Sequence, residues 1–245
     1  MNIEASLVSI VGAGPGDPEL ISVKGLKVLQ RADCVLYDFL SAPELLTECK
    51  PSAEKICVGK ADGLHLKEQR EINRLLYEKS LLFKRVVRLK GGDPFIFSRG
   101  ADEVRYLLRK KVRVEIVPGI TSALSGPESA GIPLTVKGRI SSVAILTGRK
   151  KDADAEIDAP DCQTLVYLMG VSNISNIVKA LKKGGRPENE PCAFIEKATK
   201  ADQRVIFGTI KTIVSKAQRH KVTAPAVFIV GEAIKKRIKC KNGRD

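Results

Sequence analysis

The sequence predicts an α/β protein built as two α/β domains, and three observations carry that expectation. Short apolar runs of strand length alternate with stretches whose apolar residues recur at helical spacing, the pattern of largely parallel sheets. Several of the strand-like runs stop at glycine- and proline-rich turns, at residues 12–18, 91–94 and 118–119, and open sheets bind ligands at such strand ends. The 245 residues suffice for two domains, and the alternation resumes beyond Pro118. The expected boundary lies near residues 118–122, with an N-terminal domain over 1–118 and a C-terminal domain over 119–245.

Residues 6–11 read as the first strand and end at Gly12. Residues 22–31 carry Val23, Leu26, Val28 and Leu29 at helical spacing, and 34–37 form a short strand that stops at Asp38. A helix follows over 67–78, with Ile72, Leu75 and Leu76 on one face, and then a strand over 86–89. Residues 102–108 read as helix and 112–117 as strand. In the second half, 121–130 reads as helix, 142–146 and 164–168 as strands, and 174–181 as an amphipathic helix closed by Gly184-Gly185. Strands over 192–196 and 226–230 complete the pattern, and the basic tail from about residue 235 reads as a solvated end.

Composition narrows the function classes. Hydrophobic residues make up 43% and charged residues 29% of the chain, ordinary globular usage. The apolar runs are far shorter than the roughly 18 residues that span a bilayer, so no membrane partner is expected. The opening Met-Asn-Ile-Glu carries no targeting pattern, which makes the cytoplasm the expected location. Six scattered cysteines without a C-x-x-C pair, and the isolated His65 and His220, predict no metal. The net charge is +14, and residues 197–245 alone hold thirteen Lys or Arg against three acids. With no Trp and 4% aromatics, the stacking platforms of a single-strand nucleic-acid binder are missing, so no nucleic acid is expected. A small substrate rich in carboxylates or phosphates suits the same charge.

Three motifs carry the chemistry. Gly12-Ala13-Gly14-Pro15-Gly16-Asp17-Pro18 follows a strand, and Asp38 ends the next one, a spacing that superficially matches a dinucleotide fingerprint. Pro15 and Pro18 interrupt the run and the helix begins only near Ser22, so no helix N-terminus meets a pyrophosphate there. The second motif is Arg88-Leu89-Lys90-Gly91-Gly92-Asp93-Pro94-Phe95-Ile96-Phe97, in which two glycines let a ligand approach backbone. The third is Val117-Pro118-Gly119-Ile120-Thr121-Ser122-Ala123. The three loops are expected to face one crevice.

The chain resembles the tetrapyrrole methylases from about residue 7 to about residue 232. VGAGPGDPELISVKGLKVLQRADCVLYD at 11–38, VGK at 58–60, VRLKGGDPFIFSRG at 87–100, VPGITSA at 117–123, AGIPLT at 130–135, YLMG at 167–170 and EKAT at 196–199 stand in the order typical of that family. The RLKGGDPFIF block resembles the members that methylate uroporphyrinogen III rather than those acting on later precorrins. The resemblance implies S-adenosylmethionine as methyl donor, methylation at C2 and C7 to give precorrin-2 for sirohaem or cobalamin, a homodimer, and an active site in the cleft between two α/β domains. Carried over by position, donor contacts fall on Pro15, Gly91, Gly92, Asp93, Ile96, Thr121, Ser122, Met169 and Ala198. The family pattern makes Asp38 the proton acceptor and Lys60 the proton donor. Lys90, Arg99 and Lys137 flank the motif loops as cations for the substrate carboxylates. A related methylase acting on a later precorrin or on a protein substrate is the alternative. The chain departs from the family at Phe39, where Arg is usual, at Val136-Lys137, where His-Arg is usual, and at Ala101-Asp102, where Gly-Glu is usual.

Overall fold

The computed structural model describes residues 6–38, 43–59, 68–149 and 156–239. The chain divides into two compact units, residues 1–121 and 122–245. In the first, strands β1 (Leu7–Gly12), β2 (Cys34–Tyr37), β3 (Glu54–Cys57), β4 (Arg85–Lys90) and β5 (Arg113–Val117) form one sheet in the order β3-β2-β4-β1-β5. Every neighbouring pair is parallel. Helices α1 (Val23–Gln30), α2 (Gln69–Leu82) and α3 (Gly100–Arg109) cover it.

Because side chains alternate along a strand, each strand feeds two cores. Val11, Val35, Val87 and Leu89 pack with Leu29 of α1 and with Leu45 of the short 3-10 turn Pro43–Glu48. Val8, Ile10, Cys34, Leu36 and Val86 pack on the opposite face with Ile72 and Leu76 of α2 and Val104 and Leu107 of α3. Local signals start the helices. The Ser22 hydroxyl accepts from the Gly25 amide at 3.0 Å, and the Glu71 carboxylate accepts from the Glu68 amide at 2.7 Å.

The second unit opens with α4 (Ser122–Ser129) and continues through β6 (Val143–Thr147), β7 (Thr164–Leu168), α5 (Ile174–Lys183), β8 (Pro191–Glu196), β9 (Arg204–Thr209), α6 (Ile213–Arg219) and β10 (Ala226–Val230). Its sheet has the order β6-β7-β10-β8-β9. Only β6 and β7 run parallel, whereas β10 pairs antiparallel with β7 and β8, and β8 with β9. The expectation of largely parallel strands therefore holds for the first unit and fails for the second. The physical reason is connection length: residues 197–203 are too few for the dozen or so that a parallel crossover requires, so β8 and β9 form a hairpin. Tyr167, Phe194 and Phe228 form the aromatic centre of this core, with Phe194 and Phe228 ring centroids 4.8 Å apart.

From 235 to 239 the basic segment after β10 is exposed, as expected of a solvated end, but it is tied to the second unit at 237 and 238. Ala233 and Ile234 are buried within the 3-10 turn Glu232–Lys236. Arg237 donates through Nε to the Ala130 carbonyl at 2.9 Å and lays its guanidinium 5.0 Å from the Phe207 ring centroid. The Ile238 amide bonds the Gly131 carbonyl at 2.8 Å, and residues 240–245 lie outside the described part. Among the described residues no helix is long and apolar enough to cross a membrane.

Candidate active site

In the first unit the three motif loops emerge from adjacent strands. Parallel pairing sets Gly12 beside Lys90 and Val11 beside Val117, so the carboxyl ends of β4, β1 and β5 are level. Three glycines then bring the loop backbones into direct contact. A Cβ on Gly12 would lie 2.5 Å from the Gly119 Cα and 2.6 Å from the Gly92 carbonyl oxygen, and one on Gly119 would lie 2.4 Å from that same oxygen. The Gly92 amide donates to the Gly14 carbonyl at 2.7 Å, which sets Pro15 immediately beyond the pairing. Asp93 braces the assembly: Oδ2 accepts from the Gly119 amide at 3.2 Å and Oδ1 from the Phe95 amide at 2.8 Å. Loop 91–99 closes on the start of α3, where the Gly100 amide donates to the Pro94 carbonyl at 3.1 Å.

Gly92 behaves differently from its two neighbours. Its φ is +67°, a conformation L side chains rarely adopt, yet a Cβ there would meet nothing nearer than the Thr121 Cα at 3.9 Å. Backbone is thus presented beside open space, flanked by half-buried Gly91, Pro15 and Ile96 and by buried Thr121. Phe97 and Arg99 in the same loop hold left-handed φ values of 50° and 62°, and strain of this kind concentrates at functional sites.

Asp38, at the end of β2, faces a buried group of charges. Arg88 and Lys90 alternate on β4 with Val87 and Leu89, so both project to the face covered by α2 and α3. Arg88 Nη2 stands 2.5 Å from Asp38 Oδ1, and its Nε stands 3.2 Å from Glu103 Oε1. Lys90 Nζ lies 3.1 Å from Glu103 Oε1 and 3.9 Å from Asp38 Oδ2. Gln69 donates to the same Glu103 oxygen at 3.1 Å, while Glu103 Oε2 is buried without a hydrogen-bond partner among the described residues. Burial opposes the charge on Arg88, but the Glu103 and Asp38 carboxylates outweigh it and raise the guanidinium above its usual range. Burial, reinforced by Arg88, draws the Lys90 ammonium below its usual range.

Lys90 is therefore placed differently from the other two expected substrate cations. It is 2% exposed and neutralised from within, whereas Arg99 is exposed beside Asp102 at 3.4 Å. Lys137, in the second unit, is exposed on the turn that pairs Val136 with Ile140. Lys60 and Phe39 lie outside the described residues.

The remaining expected donor contacts belong to the second unit. Ser122 opens α4 and is half-buried. Met169 follows β7 with φ 58° and an exposed side chain, above a close approach in which a Cβ on Gly148 would lie 2.5 Å from the Gly170 Cα. Ala198 is buried between left-handed Lys197 and Thr199, with φ values of 48° and 69°. Gln203 fixes that loop, its Oε1 accepting from the Thr199 amide at 2.7 Å and from the Ser129 hydroxyl at 2.8 Å. Sequence reasoning did not single out Gln203, Gln69, Arg88 or Glu103. For Arg88 a signal exists, since a cation inside an apolar strand needs a buried partner. Among the described residues no group of three or more His, Cys, Asp or Glu converges as a metal site.

Comparison with known proteins identifies the framework. Residues 7–214 match the family model of tetrapyrrole (corrin/porphyrin) methylases. A uroporphyrinogen-III C-methyltransferase of Methanocaldococcus jannaschii is 46% identical over 93% of this chain and 96% of its own length. A siroheme synthase of Pseudomonas aeruginosa is 43% identical over 97% of this chain, which spans 52% of that longer protein. The crystal structure of uroporphyrin-III C-methyltransferase from Thermus thermophilus complexed with S-adenosyl homocysteine is 38% identical, with a TM-score of 0.80 over 94% of this chain and all of that one.

Proposed function

The chain belongs to the tetrapyrrole (corrin/porphyrin) methylases, and we propose that it is the S-adenosylmethionine-dependent enzyme that methylates uroporphyrinogen III at C2 and C7, giving precorrin-2 for sirohaem, cobalamin or both. The observation that carries this is the 46% identity to a uroporphyrinogen-III C-methyltransferase over nearly the full length of both chains. The related Thermus thermophilus enzyme holds S-adenosyl homocysteine, the species left when S-adenosylmethionine gives up its methyl.

The residues fit a donor of that kind. Left-handed Gly92 offers backbone beside open space, which suits close approach by a ligand. Pro15, Gly91, Gly92, Asp93, Ile96 and Thr121 of the first unit, and Ser122, Met169 and Ala198 of the second, are the proposed donor contacts. The sulfonium supplies an already activated methyl group, so the protein has to align it with the pyrrole carbon and exclude water. Asp38 is the proposed proton acceptor. Its side chain is 28% exposed, and it can face the positive charge that a pyrrole carbon acquires on methylation. Lys60 is the proposed proton donor, and Arg99 and Lys137 the proposed partners of the substrate carboxylates. Lys90 belongs to the same group of charges but acts on Asp38 from within. By family resemblance we extend the proposal to a homodimer working in the cytoplasm, which light scattering of the purified protein tests for oligomeric state.

The deciding experiment incubates the protein with uroporphyrinogen III and labelled S-adenosylmethionine and counts methyls per macrocycle. Two are expected. Label that enters only a later precorrin, or only a protein, overturns the assignment.

A further inference from the structure

Glu103 has no part in the function described above, yet it is 0% exposed and sits at the centre of the charges behind Asp38. Its neighbours on α3, Val104 and Leu107, are core residues. A carboxylate at such a position costs several kcal/mol in lost hydration, which an apolar side chain would not. Charge neutralisation alone is a weak account of it, because one oxygen, Oε1, receives Arg88, Lys90 and Gln69 while Oε2 receives nothing among the described residues.

The geometry shows what that single oxygen does. Arg88 is held at its inner nitrogen, Nε, by Glu103 and at Nη1 by the Leu36 and Leu89 carbonyls, at 3.4 and 3.1 Å. Only Nη2 is left to point outward, and it meets Asp38 Oδ1. Lys90 Nζ is kept 3.1 Å from Glu103 and 3.9 Å from Asp38, so it leans on the inner carboxylate rather than drawing the outer one inward. Of the four charged groups, Asp38 alone is substantially exposed.

We propose that Glu103 is a positioning residue for the methylation: by anchoring Arg88 and retaining Lys90, it fixes the direction in which the Asp38 carboxylate faces the substrate. This rests on the assignment of Asp38 to the macrocycle. Glu103 contacts neither donor nor substrate, so its loss should be read in turnover and not in donor affinity.

The test is a double-variant cycle of Glu103→Gln and Asp38→Asn, with kcat taken per donor-binding site counted by calorimetry so that an unfolded fraction does not imitate the effect. Asp38→Asn should lower kcat about 100-fold, within the range of a positioned acid–base group. Glu103→Gln should lower it about 10-fold, with donor Kd within about twofold of the parent, and groups in one network couple by roughly 2- to 150-fold. In the Asp38→Asn background the same Glu103→Gln change should cost less than about twofold. Equal losses in both backgrounds, or a loss confined to donor affinity, overturn the proposal. If Asp38→Asn itself leaves kcat intact, the assignment of Asp38 fails instead. Should Glu103→Gln not fold, Glu103→Asp carries the same comparison, since it keeps the charge but withdraws it by one methylene. Turnover close to the parent in that variant would also count against positioning.

Discussion

Replacing Gly119 with alanine tests the loop assembly at its tightest point. The added methyl would stand 2.4 Å from the Gly92 carbonyl oxygen, 2.7 Å from the Gly12 Cα and 2.8 Å from the Gly12 carbonyl carbon, where ordinary contact is 3.4–4 Å. All three neighbours are backbone, so no side-chain rotation relieves the overlap. The loop after β5 must move outward by about 1 Å, which strains the Gly119 amide bond to Asp93 and the Gly14–Gly92 pairing. Overpacking costs about 1–3 kcal/mol, and each lost hydrogen bond about 1 kcal/mol more. The first unit should lose roughly 2–5 kcal/mol on these two principles together. Gly92→Ala is the matched comparison, because its methyl meets only the Thr121 Cα at 3.9 Å and the cost is the left-handed φ, about 1–2 kcal/mol. Urea denaturation and calorimetric titration with S-adenosylmethionine separate the two effects. Gly119→Ala should be dominated by lost stability. Gly92→Ala should lower donor affinity by tenfold or more, at about 1.4 kcal/mol per tenfold, because the methyl enters the open space assigned to the donor. Parent-like stability in Gly119→Ala would refute the backbone contact, and parent-like affinity in Gly92→Ala would remove that loop from the donor site.

Asp93→Ala should lower the melting temperature along with donor affinity, because it strips acceptors from the Gly119 and Phe95 amides, at about 1–3 kcal/mol for a donor left unpaired; unchanged melting would contradict its bracing role. Arg237→Ala should destabilise the second unit by about 1–2 kcal/mol through the lost Ala130 bond and the contact with Phe207, measured by thermal melting. The KM for uroporphyrinogen III, a polycarboxylate, should rise with salt and should rise again in Arg99→Ala, while donor affinity stays nearly constant; a salt-independent KM would exclude electrostatic capture. Burial, with Glu54 adding to it, pushes the Cys34 thiol up to about 11, and burial with Glu190 pushes Cys192 up to about 12. Since the thiolate is the nucleophile and both side chains are 0% exposed, alkylation at pH 8 followed by mass spectrometry should spare these two in the folded protein and label them once urea unfolds it.

The first unit was largely legible because its strands and helices declare themselves locally. β1 and β2 are near-continuous apolar runs, as buried parallel strands are, β4 and β5 each carry apolar residues up to a glycine- or proline-rich turn, and α1 begins after Ser22, where its helical spacing starts. β3 escaped notice because Glu54-Lys55 opens an edge strand with one neighbour, and Glu54 is spent on an ion pair with Lys79 at 2.7 Å. In the second unit, β8 and β10 are also near-continuous buried apolar runs, which read as parallel strands although the two pair antiparallel. β9 and α6 were missed as well, the first opening on Arg204 and the second having only seven residues and no side-chain cap. The glycine loops could be found by their spacing along the chain. That Gly12, Gly92 and Gly119 touch one another is a long-range fact that no local pattern holds.

The charges on β4 follow a pattern that the sequence already holds. In Arg85-Val86-Val87-Arg88-Leu89-Lys90 the two inner cations are two residues apart, so a strand must send both to the same face. That face is the one α2 and α3 cover, which obliges a covering helix to supply an acid, and α3 supplies Glu103 fifteen residues later. Its place beside a glycine loop makes Lys90 an expected partner of the substrate carboxylates, but alternation ties its fate to Arg88 rather than to Gly91. The consequence reaches the net charge. Arg88 and Lys90 are balanced by Glu103 and Asp38, so this group contributes nothing to the +14 that a polycarboxylate would feel. On the proposed function, capture would fall to cations that remain exposed, such as Arg99 and Lys137, while the cations of β4 would act at short range on the orientation of one carboxylate.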